Sequence, residues 1–170
     1  HFASPEWQQH GEEFGVQEMV TEVTGASQSL CAISEQGVNS NMFKQYSDLV
    51  AKLHQVIVVT ADRSNLILDP ELDTYYLMQV IVEDVPYLSE SVGKMRGLGS
   101  GMLAQRTLGE QGPENLFEGG AVIADQLRRF EHTMLIVSQH VPEMKGFIGG
   151  RHEKFKNSLN VFIDAAKSLH

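Results

Sequence analysis

Thr60-Ala-Asp-Arg-Ser-Asn-Leu-Ile-Leu-Asp-Pro-Glu-Leu-Asp-Thr-Tyr-Tyr-Leu-Met78 is the stretch on which the fold turns. Apolar spacing of the helical kind runs into it from residue 42 and resumes beyond it. Ser64, Asn65, Asp69 and Pro70 are turn and cap formers, so the stretch predicts a polar corner between two helices. A helix is expected to start after it at Asp69-Pro70 or at Asp73, since each site offers an N-cap carboxylate and Pro70 suits a first helical position.

Upstream of the corner, Met42, Tyr46, Leu49, Leu53 and Val56 form one apolar stripe, and Phe43, Val50 and Ile57 form a second. One row serves the helix's own core and the other is available to a partner. The β-branched run Ile57-Val-Val is too short to displace the helical pattern. Further upstream, Val16, Val20, Val23, Ser27 and Leu30 predict another helix, with Met19, Ala26 and Ile33 in a parallel row; Gly37-Val-Asn-Ser-Asn41 ends it.

Downstream, Leu77, Ile81, Val85, Leu88, Val92, Met95 and Met102 are expected on one face of a third helix, kinked at Pro86 and loosened by Gly97, Gly99 and Gly101. These small residues predict a close helix–helix approach. Leu108-Gly-Glu-Gln-Gly-Pro113 reads as a loop. Pro113 or Asn115 opens a fourth helix with the stripe Leu116, Gly120, Ile123, Leu127, Phe130, Met134, Val137 and Val141. Pro142 bends or ends it, Gly149-Gly150 marks a second break, and Phe155, Leu159, Phe162, Ala166 and Leu169 carry a short fifth segment. The expected fold is all-α: one domain over 1–170, an elongated up-and-down four-helix bundle with that fifth segment extending or capping it. Helices of about 30 residues would be ~45 Å long.

Composition narrows the function. The 170 residues carry a net charge of −9, and the scattered cations argue against binding nucleic acid or an anionic membrane surface. An apolar fraction of 42% excludes a disordered chain. Cys31, the single cysteine, can form no intrachain disulfide and is expected to be buried in its helix. No run approaches the ~20 apolar residues of a membrane span, and no signal peptide is visible. The beginning at His1 and the end at His170 fit a domain excised from a longer, membrane-bound parent.

No catalytic residues and no cofactor are predicted. No His has Glu three residues before it, so a di-iron bundle site is not expected; His10/Glu13 and His140/Glu143 are common helix-surface pairs, and no metal is expected. His140-Val-Pro-Glu-Met-Lys-Gly146 is superficially like a phosphotransfer site, but Pro142 lies between the imidazole and the lysine that would support it. Gly97-x-Gly-x-Gly101 has neither the preceding strand nor the Gly-Lys-Ser/Thr of a phosphate loop.

The corner and the helix beyond it resemble a known family. Ala61-Asp-Arg-Ser-Asn-Leu-Ile-Leu-Asp-Pro-Glu-Leu-Asp-Thr-Tyr-Tyr-Leu-Met78, then Val85-Pro-Tyr-Leu-Ser-Glu-Ser-Val-Gly-Lys-Met-Arg-Gly-Leu-Gly99, is similar to the extracytoplasmic sensor domain of bacterial transmembrane receptors: methyl-accepting chemotaxis proteins and some sensor histidine kinases and diguanylate cyclases. The likeness covers about forty residues; Arg63, Thr74 and Val85 depart from the commoner residues of the pattern. It implies a periplasmic helical bundle of an inner-membrane protein, a homodimer, and a non-enzymatic role in which a small polar ligand shifts a helix across the membrane.

The candidate ligand-binding residues are Arg96, Arg63, Tyr75, Tyr76 and Asn65. An arginine near a helix–helix gap can grip a carboxylate or a small oxyanion bidentately, and Arg106 is a further candidate. Arg96-Gly-Leu98 is similar to segments of helical nitrate-sensing domains, which implies an anion; an organic acid or a small inorganic anion is therefore expected. The structural alternatives are an Arg96–Glu pair between helices, tyrosines that pack in the core, and Ser64 and Asn65 closing the corner by hydrogen bonds. Two other functions stay open: a bundle that docks a periplasmic protein partner, and a histidine phosphotransfer domain.

Overall fold

A computed structural model describes the backbone of residues 5–35, 41–68 and 71–168, and the side chains within those ranges apart from 5–8, 34–35, 67 and 143–152. The described residues are helical almost throughout, with no strand among them, so the fold is all-α. The chain falls into two compact units, 1–69 and 70–170.

The first unit contains α1 (Pro5–Glu13), α2 (Gln17–Glu35) and α3 (Met42–Arg63). Val16, Val20 and Val23 pack with Val56 of α3 in its core, flanked by Phe14, Leu49 and Leu53. Lys52 pairs with Glu22, and Arg63 reaches the segment just before α2. Residues late in α3 thus meet residues early in α2, so the two helices are antiparallel. Met42 and Val56 are buried, whereas the second row of α3 (Phe43, Val50 and Ile57), together with Tyr46, is exposed. Cys31 is exposed, contrary to expectation: its helix turns Leu30, not Cys31, to the core.

Arg63 accounts for the shape of the α1–α2 junction. Its guanidinium donates to the carbonyls of Phe14 (2.9 Å) and Gly15 (2.5 Å). Gly15 has φ +62°, and a Cβ there would sit 2.5 Å from Arg63 Nη1. Alanine at 15 must adopt a left-handed conformation and displace that clamp. Gly15→Ala is expected to destabilise the first unit by about 1–2 kcal/mol, measured by urea denaturation.

The corner closes by local bonds. Ser64 Oγ donates to Ala61 O (3.1 Å). Asn65 takes a positive φ of 58°, and its carbonyl accepts the Leu68 N–H at 3.0 Å, closing a 3₁₀ turn at Leu66–Leu68. Asp69 and Pro70 lie outside the described residues.

The second unit contains α4 (Leu72–Gln79), a π turn (Val80–Asp84), α5 (Val85–Gln105), α6 (Gly112–His140) and α7 (Glu143–Lys167). The N-cap of α4 is Glu71, which makes no side-chain cap bond, and Asp73 is not the cap. Asp73 lies in the first turn, where its Oδ1 accepts the Thr74 N–H at 2.8 Å. A carboxylate is favoured there by the helix dipole.

Pro86 neither stops the helix nor leaves its register intact. Proline brings no N–H and its ring crowds the carbonyl one turn back. The backbone answers with the π turn, in which the Val85 N–H bonds to Val80 O. The wider turn breaks the three-four register that the sequence implies. Ile81 (65% exposed) and Val85 therefore face outward, and Met78, Val80 and Val82 are buried instead. Beyond the turn, Leu88 and Met95 return to the expected face.

Most of the α6 stripe is as its spacing implies: Leu116, Gly120, Ile123, Leu127, Met134 and Val137 are buried, whereas Phe130 and Val141 are half-buried. Pro142 separates α6 from α7, but the Gly149-Gly150 break does not form. The last helix runs unbroken for 25 residues, so the fifth segment is not short. Two glycines weaken a helix by roughly 1 kcal/mol each, less than is gained by burying Leu159, Ile163 and Ala166 against α6.

Contacts set the topology of this unit. Gly112 lies against Met102 and Gly119 against Met95; Gly120 approaches Ala166; Lys156 Nζ meets Glu131 at 2.7 Å. So α5 and α6 are antiparallel, as are α6 and α7. The close approaches expected at the α5 glycines occur on α6 instead, and a Cβ at Gly99 or Gly101 would meet nothing within 4 Å.

The hydrogen bond and charge of Glu131 raise the Lys156 ammonium above its ordinary value of 10.5. Because the folded value is the higher, the contribution of this pair is full below 10.5 and is lost as pH rises through the folded value. The Tm difference between the native protein and Lys156→Met is expected to vanish at the alkaline end of a pH series.

Candidate functional site

The residues expected to bind ligand fall in different places. Arg63 is engaged by the Phe14 and Gly15 carbonyls, and Asn65 closes the corner; both belong to the first unit. Tyr75 and Tyr76 belong to the second, where their rings meet edge to face with centroids 5.4 Å apart. Tyr75 is exposed and Tyr76 half-buried, so one ring covers the other. Arg96 stands apart from both tyrosines.

Arg96 lines a groove of about 650 Å³ within the second unit, and Arg106 lines the same groove. The last three turns of α5 form one wall; Leu116 of α6 with Phe162 and Ala166 of α7 form the other. The surface is mostly apolar. Leu103 (81% exposed) and Leu108 are uncovered apolar side chains on it. Gly99 keeps it open, because the groove takes the space that a side chain at 99 would fill.

The backbone at the groove's end is unusual. Arg106 ends α5 with φ +53°, a conformation that favours glycine. There its N–H donates to Leu103 O and the next N–H, of Thr107, donates to Met102 O, each at 3.2 Å. The Gly109 N–H then bonds to Thr107 Oγ1 at 3.2 Å. Residues 106–108, held by these bonds, line the groove. An arginine kept where glycine is easier is a strained position of the kind found at binding sites.

Electrostatics set the two arginines apart. Arg128 and Arg129 pair with Asp125 at 2.9 and 3.1 Å, and Arg63 is held by carbonyls. Among the described residues, neither the Arg96 nor the Arg106 guanidinium has a hydrogen bond or ion pair. Both are exposed. The Arg96–Glu pair that the sequence left open is therefore absent among the described residues. In a chain of net charge −9, two unengaged guanidinium groups put local positive charge on an apolar groove. The apolar wall residues Leu103 and Phe162 do not stand out in the sequence as site residues. The available signal was Arg106 followed by a loop, with an apolar residue three positions earlier.

The other candidates assemble less. His140 ends α6, whereas Lys145 belongs to α7, so a phosphotransfer histidine and its lysine do not share one helix. His10 and Glu13 meet at 3.3 Å on an exposed surface. Among the described residues no three His, Cys, Asp or Glu side chains converge on a metal position, and no helix is long and apolar enough to cross a membrane. No family model, curated protein or solved structure matches the chain.

Proposed function

We propose that the chain is the extracytoplasmic signal-sensing domain of a bacterial transmembrane receptor of the chemoreceptor or sensor-kinase type, and that it binds an organic acid in the Arg96/Arg106 groove. The observation that carries this reading is the presence of two unengaged arginines along one uncovered apolar groove. A carboxylate would take the guanidinium forks while an apolar body covers Leu103, Leu108 and Phe162. Nothing in this function requires catalysis.

The groove is bounded by α5, the start of α6 and the end of α7. A ligand there would favour one placement of α7 against α5, which is the form in which a helix shift would travel toward a membrane. A coupling of ~1–3 kcal/mol between ligand and helix placement is enough for signalling. In the parent receptor the helices would complete a four-helix bundle in the periplasm. The exposed row Phe43, Val50 and Ile57, with spacing seven, supports a homodimer seam along α3.

Thermal-shift titration with hexanoate, benzoate and nitrate tests the reading. Hexanoate and benzoate are expected to stabilise the protein, and nitrate, which has no apolar body, to act weakly. Gly99→Leu fills the groove and is expected to abolish the shift. It should not lower stability, because leucine is favoured over glycine in a helix by roughly 0.8 kcal/mol. Absence of stabilisation by both carboxylates would refute the proposal.

A further inference from the structure

The groove that Arg96 and Arg106 share changes chemistry along its length. Both arginines stand on the α5 wall, so their Cα atoms are separated by ~15 Å along the helix. Arg96 stands at one end of that wall and Arg106 at the other. Gly99, Met102 and Leu103 line the interval between them. Leu116 of α6 faces the same interval, because Gly119 lies against Met95 and Gly112 against Met102. Among the described residues no acidic side chain lines the groove. Its order of surfaces is therefore cation, apolar stretch, cation.

We propose that the groove selects an α,ω-dicarboxylate with a long apolar chain, each of its carboxylates taking one arginine. This rests on the reading of the groove as an organic-acid site and names the class of acid. A single carboxylate shared by both guanidinium groups gives each of them one oxygen and draws both side chains inward over the apolar interval. Two carboxylates give each planar fork both oxygens, the bidentate geometry that arginine favours. An extended carbon chain gains ~1.2 Å per bond, as an extended polypeptide does. The carboxyl carbons of decanedioate are thus ~11 Å apart, within reach of two flexible side chains rooted ~15 Å apart. Those of butanedioate are only ~4 Å apart, so both side chains must again lean inward. The methylenes of the longer acid cover Met102 and the exposed Leu103, which an acid without an apolar middle leaves in water. The groove volume of about 650 Å³ is ordinary for a small-molecule site.

Calorimetric titration with decanedioate, decanoate, hexanoate and butanedioate at neutral pH tests it. Decanedioate is expected to bind at least tenfold more tightly than decanoate. Apolar contact alone gives the opposite order, because decanoate keeps a terminal methyl where decanedioate carries a charge. Butanedioate is expected to bind at least tenfold more weakly than decanedioate. Arg96→Gln and Arg106→Gln should each bring decanedioate down to the affinity of decanoate in the same variant. If Arg106→Gln does not fold, Arg106→Gly, which suits φ +53°, gives the same readout. Binding of hexanoate and decanoate with no gain for decanedioate would overturn the two-ended grip and leave the organic-acid reading standing. A gain for decanedioate that survives the loss of either arginine would do the same. Failure of all four acids to bind would overturn both.

Discussion

Replacing Ile123 with alanine is expected to lower the stability of the 70–170 unit by about 3 kcal/mol. Ile123 is 0% exposed at the middle of α6, within the cluster formed by Leu88 and Met95 of α5, Leu116 and Leu127 of α6, and Leu159, Ile163 and Ala166 of α7. Side chains of three helices form the cluster around Ile123, so a cavity left there is lined by groups anchored on separate helices and collapses only in part. Lost transfer energy and residual cavity therefore add. Ile123→Val removes one methylene and should cost about 1 kcal/mol. Val122, the preceding residue, is 49% exposed, and Val122→Ala should change stability by less than about 0.5 kcal/mol. Urea denaturation of the three variants checks the ordering. Equal effects at 122 and 123 would contradict the packing of α6.

The second large effect concerns the groove. The double variant Arg96→Gln/Arg106→Gln is expected to weaken hexanoate binding about 100-fold, roughly tenfold for each arginine. Charge-assisted hydrogen bonds contribute about 1.5–3 kcal/mol when shielded; both arginines are exposed, so the lower end applies. The lysine pair Arg96→Lys/Arg106→Lys retains charge but not the planar fork and should lose part of this affinity. Arg106→Gly separates binding from folding. Glycine adopts φ +53° without strain, so this variant should lose affinity while its stability holds or rises by up to about 1 kcal/mol. Calorimetry at two salt concentrations completes the test, because an anion held by exposed cations weakens with ionic strength.

The helices were legible in the sequence wherever packing follows an unbroken period. The α6 positions 116, 120, 123, 127, 134 and 137 are buried as their spacing implies. Legibility failed where a local residue permits several outcomes. Pro86 is compatible with a kink, a stop or a π turn, and the local sequence does not select among them. Gly149-Gly150 weakens a helix, but the burial of distant residues on the same helix outweighs it. Arg63 was visible as a cation, but its carbonyl partner at Phe14 lies 49 residues away and carries no sequence signal. The groove was half legible: the arginines stand out by charge, whereas Leu103 and Phe162 resemble core residues until the fold leaves a gap between α5 and α7.

The widened turn at Val80–Asp84 accommodates one residue more than a regular helix would hold. Homologues that lack Pro86 are expected to lack that residue too. Their alignment with this chain would then need a single gap inside 80–84, and scoring schemes that forbid gaps within helices would misplace everything before it.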